Sequence, residues 1–168
     1  MTERPSGWLA GRSAMTVLKA WHAALAGGFL VAYLTAGEDY FAMHQFAGYG
    51  VLAAIVARLA LGLVAGERSP LCLPRPVEAV KRWRAGGGGR SPWFALFAAA
   101  LLAAVGLVAL LGALADFVPR FEDPHEAIAE ASLWLIGGHV AFVVWMYWGR
   151  ARLAALPSAI IPRKRSLP

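Results

Sequence analysis

The chain is 168 residues long, 59% hydrophobic and only 15% charged, with a formal net charge of +6. It is too apolar and too poor in charge for an ordinary soluble domain. Its basic residues lie between long apolar runs, which excludes nucleic acid as a partner, and a single cysteine, Cys72, excludes an internal disulfide framework.

No Asp, Glu, Lys or Arg occurs in 20–37, 40–57, 91–115 or 131–149. A bilayer-spanning helix needs about 20 mostly apolar residues. Four transmembrane helices are therefore predicted, at about 16–37, 41–65, 91–115 and 126–149. Helices satisfy their own backbone polar groups in hydrocarbon, so strands are not expected. The fold class is all-α, an integral membrane four-helix bundle forming one domain over residues 1–168.

The first span follows a basic segment and imitates a signal peptide. It is long for that role, it carries His22 and Tyr33, and three more spans follow. The second span has His44 near its start and Arg58 as its one internal charge. In the 66–90 loop, Pro70, Pro74 and Pro76 forbid a long helix and leave "VEAVKRWR" as a short surface one. "GGGG" at 86–89 reads as a flexible joint into the third span, which has Pro92 near its first turn. The fourth span carries His125, Glu130 and His139.

Fourteen of the sixteen Lys and Arg lie before residue 20, in 66–90 or after 149. The short loops around 38–43 and 116–126 hold Glu38, Asp39, Asp116, Glu122, Asp123 and Glu126 against Arg120 alone. The positive-inside rule places both termini and the 66–90 loop in the cytoplasm. The expected location is the cytoplasmic (inner) membrane of a bacterium, with membrane lipid around the spans and the acidic loops facing a periplasm.

The four histidines, His22, His44, His125 and His139, all lie in a span or at its end. Ionisable residues within a membrane usually face the bundle interior and mark function. His139 follows His125 by fourteen residues, which is about 21 Å along the helix and within about 40° of whole turns. Both rings therefore leave the fourth span on one face at opposite levels. His22 is level with His139, and His44 is level with His125. Zinc would need more ligands than two per level. Two opposed imidazoles suit haem iron, whose porphyrin fills the equatorial positions. With no open coordination site, such iron transfers electrons rather than binding oxygen.

Arg58 follows His44 by the same fourteen residues. That places it at the inner haem, paired with a propionate, or snorkelling to the cytoplasmic interface. Gly27, Gly28, Gly48, Gly50, Gly137 and Gly138 lie near histidines, where small residues permit close helix approach. Glu130 is about 140° around the helix from His125, off the histidine face.

The order of these features resembles the bacterial cytochrome b561 family, in particular its short cytochrome b/b6 domain proteins and the cytochrome b subunits of nickel–iron hydrogenases. The matching stretches are "KAWH", "HQFAGYGVLAAIVARLALGLVAG", "HEAIAEASLWLIGGHV" and "GRARLAAL". The resemblance implies two b-type haems, with His22 and His139 holding the inner one and His44 and His125 the outer one. It also implies electron traffic between quinone and a periplasmic cytochrome c or a hydrogenase-type partner, with a homodimer as a permitted assembly. Two alternatives remain open. One is a haem oxidoreductase acting directly on superoxide or ferric iron, and the other is a haem-free membrane anchor.

Overall fold

A computed structural model of the chain describes residues 12–66, 69–87 and 91–149. It contains helix α1 (Arg12–Leu34), a 3₁₀ turn (Glu38–Tyr40), α2 (Phe41–Val64), α3 (Pro76–Arg84), α4 (Pro92–Ala115), a second 3₁₀ turn (Pro119–Phe121) and α5 (Glu122–Val144). A π-helical turn, Trp145–Gly149, continues α5. No strand occurs among the described residues. Among the described residues four helices are long and apolar enough to cross a bilayer: Ser13–Leu34, Glu38–Val64, Pro92–Ala115 and Pro119–Gly149.

The helix ends follow local chemistry. Past α1, the Thr35 hydroxyl donates back to the Val31 carbonyl at 2.7 Å. Pro76 opens α3 and Pro92 opens α4 in first-turn positions where a missing N–H costs nothing. α5 begins at Glu122, four residues before the sequence-based boundary at 126. Pro124 is tolerated in that first turn, and Glu122 and Asp123 complement the positive end of the helix dipole.

Two of the glycines expected to form a flexible joint are instead a helix cap. Gly86 is left-handed, with φ of 71°. Its N–H donates to the Trp83 carbonyl, and the Gly87 N–H donates to the Arg82 carbonyl, both closing the end of α3. Residues 88–90 lie outside the described residues.

The apolar core lies between α2 and α4. Val51 and Ile55 meet Val105 and Ala109, with Trp21, Leu25 and Phe29 of α1 packed against them. α5 contributes nothing to this cluster. It packs against α4, and among the described residues no Cα of α5 comes within 8 Å of a Cα of α1 or α2. The four long helices thus form a row, α1–α2–α4–α5, that bends round but does not close at the backbone. Their outer faces stay apolar: Trp134 is 85% exposed, Phe46 78% and Leu63 77%. Such a coat suits a hydrocarbon surrounding rather than water.

At one end of the bundle the loop after α2 folds back onto the helix. Arg58 is buried and donates from Nη1 to the Leu71 carbonyl at 2.7 Å and from Nη2 to the Cys72 carbonyl at 3.2 Å. Its guanidinium lies 5.7 Å from the Trp21 ring centroid, and Trp21 Nε1 donates to the Ala54 carbonyl at 2.7 Å. Gly62 makes room for the loop, because a Cβ there would lie 2.5 Å from Leu73 Cδ2 and 2.9 Å from Arg58 Nη1.

Arg58→Leu therefore leaves two loop carbonyls unpaired and is expected to cost about 1–3 kcal/mol. Thermal unfolding in detergent and amide exchange across residues 69–75 check this, and wild-type protection of that loop in the variant contradicts it.

Candidate functional site

His44 is in the first turn of α2, where Phe41 stacks on it with ring centroids 6.2 Å apart. Its Nδ1–H donates to the Ala32 carbonyl, in the last turn of α1, at 2.7 Å. His125 is in the first turn of α5, and its Nδ1–H donates to the Val108 carbonyl of α4 at 2.9 Å. A carbonyl only accepts, so each bond places the proton on Nδ1 and leaves the Nε2 lone pair free. Metal-ligating histidines are usually oriented by such a bond through the other ring nitrogen.

The structure brings the four histidines together in two pairs. His44 and His125 have ring centroids 6.0 Å apart with planes at 73°. His22 and His139 have centroids 6.4 Å apart with planes at 70°. His139 leans on Phe97, at 5.7 Å between centroids, and its Nδ1 is buried without a hydrogen-bond partner.

These centroid separations are too long for a direct hydrogen bond between the two rings. A first-row metal binds imidazole nitrogen at about 2.0 Å, and that nitrogen is about 1.1 Å from the ring centroid, so two opposed rings on one ion stand about 6.2 Å apart. Both pairs fall close to that value. Among the described residues no group of three or more His, Cys, Asp and Glu is arranged to hold a metal ion. Two imidazoles at each level would suit a group that brings its own further donors, such as an iron porphyrin.

The space around the outer pair is open. A cleft of about 950 Å³ is lined by His44, His125, Gly48, Val108 and Gly112, among others. A second cavity of about 590 Å³ is bounded by Tyr33, Glu130, Trp134, Gly137 and Gly138. A Cβ at Gly27, Gly48 or Gly137 would meet nothing within 4 Å. Those glycines have open space beside them and no neighbouring helix in contact. Gly28 is different, since a Cβ there would lie 3.1 Å from Val51.

The structure adds surroundings for two charged residues. Glu130 lines both cavities although it lies off the histidine face. The reason is the unclosed side of the bundle. Because α5 stands away from α1, the open space takes in a wider arc of α5 than the histidine stripe. Arg58 already engages the backbone of the 71–72 loop, a partner that helix spacing could not reveal.

Sequence reasoning missed two residues here. Gly112 gives the His125 ring its place, since a Cβ would lie 2.9 Å from Cε1 and 3.1 Å from Nδ1. Asp116 ends α4 and accepts from Gln45 Nε2 at 3.0 Å and from the Tyr49 hydroxyl at 2.7 Å. The available signal was Gln45 and Tyr49, spaced i and i+4 on α2, opposite an acidic helix end. The Tyr49 hydroxyl, and then the Gln45 amide, hold the Asp116 carboxyl below the usual carboxylate range. Asp116, Glu122, Glu126 and Glu130 all line the cleft, and among the described residues no Lys or Arg does.

Comparison with protein-family models, curated proteins and solved structures found no match to this chain.

Gly112→Val should drive the His125 ring from the Val108 carbonyl, with an overpacking cost of about 1–3 kcal/mol. A melting temperature equal to wild type, with the His125 proton signals unshifted, contradicts this packing. Because the Asp116 pKa is depressed in the folded chain, its contribution is present above the unfolded value, about 3.9, and is lost as pH falls through the folded one. Thermal stability of the wild type should therefore fall relative to Asp116→Asn as pH drops from about 5 to about 3. A constant difference across that range contradicts the bond pattern.

Proposed function

We propose that the chain is a diheme b-type membrane cytochrome of the cytochrome b561 kind, carrying electrons between the quinone pool and a redox partner on the acidic side. The partner class is a periplasmic cytochrome c or a hydrogenase-type membrane protein. The observation that carries this reading is the pair of imidazole separations, 6.0 and 6.4 Å, across a side of the bundle where the helix backbones do not meet. The proposed setting is a bacterial cytoplasmic membrane with both termini inside.

In this reading His44 and His125 hold the outer haem, and His22 and His139 hold the inner one. When bound, each iron porphyrin supplies a one-electron couple. The chain's own residues do the rest. The carbonyls of Ala32 and Val108 keep the outer imidazoles in the Nδ1–H form, so that Nε2 can donate to iron. Phe41 and Phe97 limit the rotation of His44 and His139. Gly112 keeps the His125 ring unblocked. Arg58 uses two of its five donors on the 71–72 loop, and its proposed role is to present the others to an inner propionate. With two imidazoles per iron no coordination site is left for substrate, which favours electron transfer over direct oxygen chemistry.

The acidic lining of the outer cleft bears on the partner. An anion such as superoxide meets Asp116, Glu122, Glu126 and Glu130 without a compensating cation, whereas a basic protein surface is attracted.

The purified protein should contain two haems b per chain by pyridine haemochrome and show low-spin reduced-minus-oxidised bands. His139→Ala should retain about one haem of two, with the outer one kept. A wild type purified from haem-replete cells without haem, or a His139→Ala variant with both haems, overturns the assignment.

A further inference from the structure

One carboxylate, Asp116, lines the same cleft as both outer imidazoles. Asp116 lies four residues after Gly112 on α4, hence on the same face and about one turn, 5.4 Å, further along. Gly112 is the residue against which the His125 ring sits. On the other side, Asp116 is bonded to Gln45, the neighbour of His44, and to Tyr49, one turn beyond it. Its two oxygens are thus tied to the helix that carries His44, while its backbone belongs to the helix that seats His125. Asp116, His44 and His125 all line the same cleft, and among the described residues no Lys or Arg lines it.

We propose that Asp116 is the positioning and charge-setting residue of the outer site, holding its electron couple at a lower potential than the histidines alone would give. The inference rests on the haem reading above. A fixed negative charge in the same cleft would favour the oxidised, more positive iron over the reduced one. The bonds from Gln45 and Tyr49 keep that charge in place as one electron arrives or leaves. They also brace α4 against α2 where the outer imidazoles emerge.

The role is separable from ordinary bracing. Asp116→Asn keeps the size of the side chain and one carbonyl acceptor but removes the charge. Asp116→Glu keeps the charge. Tyr49→Phe removes a hydrogen bond to the carboxylate and leaves the charge less neutralised. The experiment is an optical redox titration of the full-length protein in detergent at pH 8, with haem content measured on the same samples. The outer couple is identified as the one lost in His125→Ala.

The expected result for Asp116→Asn is a rise of the outer couple by about tenfold in its redox equilibrium constant, about 59 mV for one electron, with the inner couple unmoved. Asp116→Glu should restore the wild-type value, and Tyr49→Phe should lower the outer couple or leave it unchanged. Two haems bound with the outer couple unmoved in Asp116→Asn overturns this inference and leaves the haem reading intact. Equal shifts of both couples, or a rise in Tyr49→Phe matching that in Asp116→Asn, also overturn it, because bracing alone then explains the effect. If Asp116→Asn does not fold, a rise in Tyr49→Phe overturns the charge role and a fall supports it. A haem-free wild type overturns both readings together.

Discussion

Helix α5 is attached to the rest of the bundle on one side. Among the described residues it packs along α4, takes no part in the core cluster of α2 and α4, and has no Cα within 8 Å of α1 or α2, while its two histidines pair with His22 of α1 and His44 of α2. Protein interiors normally fill such a separation with side chains, since empty space forfeits dispersion contacts. Here Gly27, Gly48 and Gly137 border open space instead. The constraint that organises the structure is therefore a spacing held open, with nitrogen donors placed across it at two levels.

A separation of that kind has a stability consequence. The core formed by Val51, Ile55, Val105 and Ala109 holds three long helices together without α5. In the proposed reading, the occupant of the gap is a structural part of the bundle as well as the carrier of its chemistry. A group that binds the folded state and not the unfolded one adds to stability by mass action. The polar bonds around the outer pair fit this arrangement, because they orient His44 and His125 from α1 and α4 and leave the facing nitrogens unengaged.

Much of the architecture was legible because it rests on one-dimensional quantities. Charge-free length gave the four spans, and the fourteen-residue step from His125 to His139 gave the face and levels of the two rings. What escaped depends on where separate segments meet. Gly112 is one of eighteen glycines, and only the ring lying against it sets it apart. Arg58 has partners on a loop whose return path follows from prolines and Gly62, not from helix periodicity. Asp116 looks like a solvated loop acid until α2 brings Gln45 and Tyr49 to it. Glu130 lies off the histidine face as helical rotation has it, but rotation describes one helix and not the breadth of the cleft that Glu130 also lines. The start of α5 was set late because Glu122 and Asp123 read as loop acids, although the first turn of a helix favours them.

The central claim is that each histidine couple grips one iron. Pulsed electron paramagnetic resonance on the oxidised, full-length protein tests this most directly, combined with iron quantitation. The account predicts two low-spin ferric centres per chain, each coupled to two axial imidazole nitrogens, with the steep anisotropy of ring planes set near 70°. A single centre, high-spin iron, or one axial nitrogen per iron would contradict it.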